Sequence, residues 1–275
     1  MPELPEVESL RQILASSARG RTFVGAVVKE PRLRRAVTAD FAAAITGRTI
    51  ENIGRRAKYL LLELTGGHVM IVHLGMSGSL THRHDGFDMA SFDPRHDHVE
   101  FALDDGSRLV YNDPRRFGLM KLAADLESLI ELRGLGPEPL GDGFNADYLW
   151  RMTRGRKAAI KNVLMDQRIV AGIGNIYASE ILFRAKVRPT RRAGKVTREE
   201  VRRIIEATPR ILREAIGSRG TTFRSYRDSR GQPGRFAERL RVYDREGKPC
   251  FECGGSIRAV TVGQRSSFYC PRCQK

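Results

Sequence analysis

"LRGLGPEPLGDGF", residues 132–144, carries four glycines and two prolines in thirteen positions and shows no hydrophobic period. Such a run neither propagates a helix nor completes a strand, so it reads as a linker. Its reading decides the fold because the chain changes character across it. Residues 1–140 hold 18 Lys+Arg and 19 Asp+Glu, whereas residues 141–275 hold 30 and 13. Essentially the whole formal charge of +16 therefore lies on the second side.

Ahead of the linker, Val7, Leu10, Ile13 and Leu14 recur at helical spacing and Gly20 follows, so residues 4–18 are expected to form an amphipathic helix. Short β-branched or aromatic runs come next: "TFVGAVVKE", "YLLLEL", "HVMIVHL", "HVEFAL" and "RLVYN", with "LTGGHV" and "LDDGSRL" as hairpin connections. These predict a β-sandwich or barrel. Beyond the linker the period turns helical in "ADYLWRM", "KAAIKNVLMDQ", "NIYASEILFRA" and "TREEVRRIIEATPRILREAIG", the last opening on Thr197. The chain closes in a cysteine-bearing hairpin. The expected parts are 1–133, a hinge at 134–141, a helical part 142–236 and a terminal part 237–275, an α+β multidomain arrangement.

A chain of 275 residues with 41% hydrophobic residues has enough apolar side chains for more than one core. No apolar stretch approaches the roughly 20 residues needed to span a bilayer, and no secretion signal opens the chain, so a cytoplasmic protein is expected. Nothing in the sequence calls for an obligate oligomer, so a monomer is expected. The positive excess is rich in Arg, which grips phosphate through two donors at once. Nucleic acid is thereby favoured over an acidic membrane.

All four cysteines lie in "CFEC" and "CPRC", 16 residues apart: Cys250, Cys253, Cys270 and Cys273. The spacing suits one zinc ion, and four thiolates leave no open position for water, so the ion would be structural. Two disulfides or four free thiols fit the same count. "RAVTVGQRSSFYC" between the pairs would be a rigid hairpin presenting Arg258 and Arg265.

Three further stretches carry chemistry or its absence. "GIGNIYASEIL" sets a glycine turn before a helix near Asn175, where backbone N–H groups suit a phosphate, although an ordinary Asn cap gives the same pattern. "RGRKAAIK" places Arg156, Lys157 and Lys161 at another helix start, the two lysines sharing a face at i, i+4. "MPELPEVESL" combines a helix opening from Pro5 with Pro2, whose secondary amine is freed if Met1 is removed. An α-amino group titrates near about 8, against about 10.4 for lysine, so far more of it is nucleophilic at neutral pH. Glu3, if buried, would hold its proton longer and serve as an acid. Helix leader, dipole partner and solvated strand end are the bland readings of Pro2, Glu3 and Lys58.

"MPELPEVE", "RRAKYLLLEL", "HLGMSGSL", "HDHVEF", "NDPRRFG", "LGPEPL", "GIGNIYASE" and the paired CxxC hairpin, in this order, resemble the formamidopyrimidine-DNA glycosylases along nearly the whole chain. The resemblance implies an N-terminal β-sandwich flanked by helices, a helix-two-turn-helix domain with a lesion-recognition loop, and a C-terminal zinc-finger β-hairpin. It also implies excision of oxidised purines such as 8-oxoguanine from duplex DNA, followed by β- and δ-elimination at the abasic site. Pro2 would be the nucleophile, Glu3 the acid, and Lys58 and Arg265 proton donors or phosphate partners. His96, Arg115, Arg156, Lys161 and Asn175 match DNA-binding positions. Met76, Arg115 and Phe117 match the side chains that fill the gap left by a flipped nucleotide, although without the resemblance Met76 and Phe117 read as core. Arg156 departs from the family's frequent Lys, which changes phosphate geometry. "THRHDGFDMASFDPRHDH" is a loop whose His and Asp residues suit a second metal or plain solvation. The rivals are an endonuclease VIII-type enzyme for oxidised pyrimidines, disfavoured by Leu4 and the Met76, Arg115, Phe117 set, and a non-catalytic zinc-stabilised DNA-binding protein.

Overall fold

The computed structural model describes residues 2–222 and 226–275. Met1 and positions 223–225 within the expected recognition segment "GTTFRSYRDSRG" lie outside the described residues. The chain forms two compact units, Met1–Arg133 with Ile216–Ala237, and Gly134–Ala215 with Glu238–Lys275.

The first unit contains α1 (Leu4–Ser17), β1 (Phe23–Val28), α2 (Phe41–Ile45), β2 (Ile50–Arg56), β3 (Tyr59–Leu64), β4 (Val69–His73), β5 (Ser79–Arg83), β6 (Asp97–Leu103), β7 (Arg108–Asn112) and β8 (Leu119–Ala123). Two antiparallel four-stranded sheets result, in the orders β2-β3-β4-β8 and β1-β6-β7-β5. Leu60, Leu62, Met70 and Val72 of one sheet share a core with Phe101, Leu109 and Tyr111 of the other and with Val7, Leu10 and Leu14 of α1. The alternate residues Leu61 and Ile71 bury a second face with Leu119 and Leu129. That double burial explains why "YLLLEL" is apolar without alternation.

The second unit contains α3 (Ala146–Thr153), α4 (Ile160–Met165), α5 (Asn175–Arg184), most of α6 (Arg198–Gly217), and the hairpin β9 (Arg258–Val262) and β10 (Arg265–Tyr269). Thr197 and Glu200 close the expected capping box at the head of α6, the Glu200 N–H donating to Thr197 Oγ1 at 3.1 Å and the Thr197 N–H to Glu200 Oε2 at 2.7 Å.

The contacts divide the chain differently from the expected segmentation in two places. The linker does not stand as a free hinge: Gly136 N–H donates to the Gln167 carbonyl at 2.8 Å and Ala171 N–H to the Pro137 carbonyl at 3.0 Å, which docks it on the second unit. Ile216–Ala237 belongs with the first unit instead of the helical one. Glu6 is one tie, its carboxylate taking the Thr221 N–H at 2.7 Å while its carbonyl takes the Tyr226 hydroxyl at 2.9 Å, and the His82 N–H donates to the Ser229 carbonyl at 2.8 Å. The strands β2, β5 and β8 were not evident from sequence, since "IENIGRR" and "SLTHR" carry too few apolar residues to alternate.

Candidate functional site

Pro2 and Glu3 are buried at the head of α1, Glu3 with 2% of its surface exposed. Glu3 is the extended residue that precedes the helix, and its N–H donates to Glu6 Oε2 at 2.7 Å. Glu6 therefore bridges the amides of Glu3 and Thr221 with one buried carboxylate. Glu8, further along α1, faces two arginines. Burial opposes its ionisation, but hydrogen bonds from Arg11 and Arg55 outweigh that and lower its pKa. Arg55 in turn donates to the Ala57 carbonyl at 2.9 Å, fixing the turn that carries Lys58.

Lys58 occupies the two-residue turn between β2 and β3, 6% exposed. Its neighbour Ala57 is held at φ 54°, a left-handed conformation that costs a residue with a Cβ about 1–2 kcal/mol. Strain of this kind persists where surrounding structure fixes it, and it gathers at functional sites. His73, at the end of β4, is pushed down to about 4 by burial, with the charges of Lys58 and Arg34 adding to it. It is neutral at pH 7. The Gly75 N–H donates to its Nδ1 at 3.0 Å, which leaves Nε2 as the protonated nitrogen. The sequence reading does not single out His73; its signal is an otherwise wholly apolar strand ending in His.

Met76 and Phe117 are not core. They are 43% and 47% exposed, and with Arg34, His73 and Gly75 they line a pocket of about 260 Å³. The Arg115 guanidinium lies 4.7 Å from the Phe117 ring centroid, a cation–π contact. The three expected gap-filling side chains thus stand on neighbouring turns. His96 is half-buried at the foot of β6, 3.9 Å from Asp93. The histidine- and aspartate-bearing loop is organised by a buried ion pair, Arg83 to Asp97 at 2.6 and 2.9 Å. Among the described residues the only grouping of metal-ligating side chains is the four cysteines.

In the second unit, Lys161 does not share an exposed face with Lys157. The helix begins only at Ile160, because Ala159 pairs with Arg192 in an extended bridge. Lys157 is exposed and Lys161 wholly buried. Its ammonium donates to Asn175 Oδ1 at 2.6 Å, Ser267 Oγ at 2.6 Å and the Ser266 carbonyl at 3.1 Å. Asn175 is not the cap of α5, which is Gly174, and its amide donates to the Ser266 carbonyl at 3.1 Å. Lys161 therefore ties α4, Asn175 and β10 together. Replacing it by Ala leaves the buried Ser267 hydroxyl and the partly buried Asn175 and Ser266 oxygens without their cation, and the protein is expected to lose about 1–3 kcal/mol of stability. A lowered urea midpoint reads this loss. An unchanged midpoint would show that the ammonium does no structural work.

Arg156 is exposed in the turn after α3. Arg265 is exposed beside the turn of the terminal hairpin, where Gly263 and Gln264 at φ 56° and 61° match the two-residue turn that suits strand twist. Glu180 of α5 anchors the approach to that hairpin, accepting the successive N–H groups of Arg241, Val242 and Tyr243 at 2.9 Å each. Burial raises its pKa and the three donors oppose that rise.

The four cysteine sulfurs lie within 4.8 Å of one another, with Cys250 to Cys273 at 3.9 Å and Cys253 to Cys270 at 3.5 Å. These separations exclude disulfides, whose sulfurs lie about 2.05 Å apart. They match the spacing of about 3.8 Å between thiolates on a tetrahedral zinc. Four thiolates this close repel one another, so the set needs a cation between them. One structural zinc fits the set.

Family models match nearly the entire chain: the formamidopyrimidine-DNA glycosylase N-terminal domain over residues 1–120, the helix-two-turn-helix domain of the same enzyme over 135–227, and a zinc finger found in these enzymes and in isoleucyl-tRNA synthetase over 247–275. The chain belongs to the formamidopyrimidine-DNA glycosylase family. Members from Alkalilimnicola ehrlichii and Syntrophotalea carbinolica are 49% and 46% identical over the whole of both chains. Among solved structures, the MutM (Fpg) protein of Thermus thermophilus superposes with a TM-score of 0.87 at 37% identity, covering 99% of this chain and 98% of that one. The Lactococcus lactis enzyme superposes at 0.90 in a complex with Fapy-dG DNA (29% identity) and in one with oxidised-pyrimidine DNA (30%), each covering the whole of both chains.

Proposed function

We propose that this chain is a base-excision repair enzyme that removes oxidised purines from duplex DNA and then cleaves the abasic strand. Membership of a glycosylase family carries the reading, and the burial of Pro2 and Glu3 at one helix entrance supports it. The Pro2 nitrogen attacks C1′ of the damaged nucleotide, the sugar ring opens with a proton from Glu3 to O4′, and the base departs. The resulting Schiff base acidifies C2′, and successive β- and δ-elimination release the 3′ and 5′ phosphates. In this reading Lys58 and Arg265 serve phosphate or proton transfer, while His96, Arg156 and Asn175 grip the backbone, Asn175 held by Lys161. Residues 1–133 supply the chemistry, 142–236 the DNA grip and 237–275 the zinc hairpin. No helix among the described residues is long and apolar enough to cross a membrane. In this reading the enzyme acts as a monomer on chromosomal DNA in the bacterial cytosol.

A second reading, preference for oxidised pyrimidines, is kept because the Lactococcus lactis relative has been crystallised with such DNA. Excision rates from duplexes carrying 8-oxoguanine opposite cytosine or an oxidised thymine separate the two. Faster release of the purine is expected, and faster release of the pyrimidine would reverse the assignment.

A further inference from the structure

We infer that Asp113 is a positioning residue that locks Met76, Arg115 and Phe117 into one rigid wedge; this rests on the reading, implied by the family resemblance, that those side chains fill the gap left by a flipped nucleotide and that Arg115 hydrogen-bonds the unpaired base. Asp113 follows β7 and is fully buried. One carboxylate oxygen accepts the Ser77 hydroxyl at 2.6 Å and the Arg115 N–H at 3.4 Å. The other accepts the Gly118 N–H at 2.9 Å and the Tyr111 hydroxyl at 3.1 Å. The Ser77 hydroxyl also accepts the Arg115 N–H, at 3.3 Å. Ser77 follows Met76 in the chain, and Gly118 follows Phe117. One carboxylate therefore holds the residue after each apolar wedge and the backbone of Arg115 itself.

The two turns are also in direct backbone contact. A Cβ on Gly75 would lie 2.4 Å from the Phe117 carbonyl carbon, and one on Gly118 would lie 1.6 Å from the Tyr111 hydroxyl oxygen. Tyr111 remains a donor at any physiological pH, since burial, with the Asp113 charge, raises its pKa well above the ordinary value. Half-exposed Met and Phe side chains on loose turns would have to be ordered each time a base is extruded. Pre-ordering them removes that cost from the binding step. It also fixes the Arg115 backbone, and so the reach of its guanidinium to the unpaired base opposite the lesion.

An isosteric Asn cannot replace the carboxylate, because accepting from Ser77 with its oxygen turns its NH2 toward the Gly118 N–H. The readout is the ratio of single-turnover excision rates for 8-oxoguanine opposite cytosine and opposite adenine, normalised to active enzyme. A loss of folded protein lowers both rates together and leaves the ratio. Asp113→Asn is expected to move the ratio toward that of Arg115→Ala by about fivefold or more, the discrimination of one good base contact. Ser77→Ala, which keeps the carboxylate and removes one link, is expected to move it the same way by less, and it decides the matter if Asp113→Asn does not fold. An unchanged ratio in the folded variants, while Arg115→Ala shifts it, overturns the inference alone. If Arg115→Ala leaves the ratio unchanged, the wedge assignment falls and this inference with it.

Discussion

Stripping the zinc with a chelator, or replacing Cys253 by Ser, is expected to lower affinity for lesion-bearing duplex by about 10³-fold or more, to the level of non-specific binding. The terminal hairpin has only two strands, and such a hairpin is marginal in water without further support. Its cluster of Val242, Ile257, Phe268 and Phe183 includes Cys250 and Cys270 themselves, so the metal ligands are also part of the packing. A structural zinc contributes on the order of 10–16 kcal/mol in small fingers at neutral pH, far above any other contact here. Loss of β10 removes Ser266 and Ser267, two acceptors of the Lys161 ammonium, and frees Arg265 from a fixed direction. Binding by gel shift, with released zinc followed by a metallochromic dye, tests the coupling. Recovery on adding zinc back is expected, and unchanged affinity in metal-free protein would show that the hairpin does not contribute to the grip.

Periodic burial was readable from the sequence; convergence was not. α1, α5 and α6 announce themselves through apolar spacing and a capping box, and β3, β4, β6 and β7 through β-branched runs. The cysteine spacing announces the zinc site because all its ligands lie in one hairpin. Lys161 misled because the apparent helix start at Lys157 is displaced to Ile160 by an extended pairing with Arg192, more than thirty residues away. Glu6 and Asp113 were invisible for a similar reason. Each looks like an ordinary helix or turn carboxylate, and only the fold brings Thr221 to one and Ser77 to the other. Met76 and Phe117 show the converse failure, since apolar residues default to core and only the turn geometry turns them outward.

Replacing Glu3 by Gln is expected to slow base excision by about 10²–10⁴-fold, the contribution of a general acid. The same variant should still form a borohydride-trapped adduct on DNA carrying a ready-made abasic site. The two outcomes separate because an abasic sugar already opens to its aldehyde, so the Pro2 amine needs no acid to meet an electrophile. Gln keeps the backbone N–H that Glu6 holds, so the helix entrance is preserved while the transferable proton is lost. A protein with its terminal amine blocked, by retained Met1 or by acetylation, should give no adduct with either DNA. Equal trapping by blocked and free protein would move the nucleophile to a side chain, with Lys58 in its strained turn the first to examine. Loss of trapping in Glu3→Gln on both substrates would instead mean that Glu3 shapes the Pro2 environment, and the acid would have to be sought elsewhere.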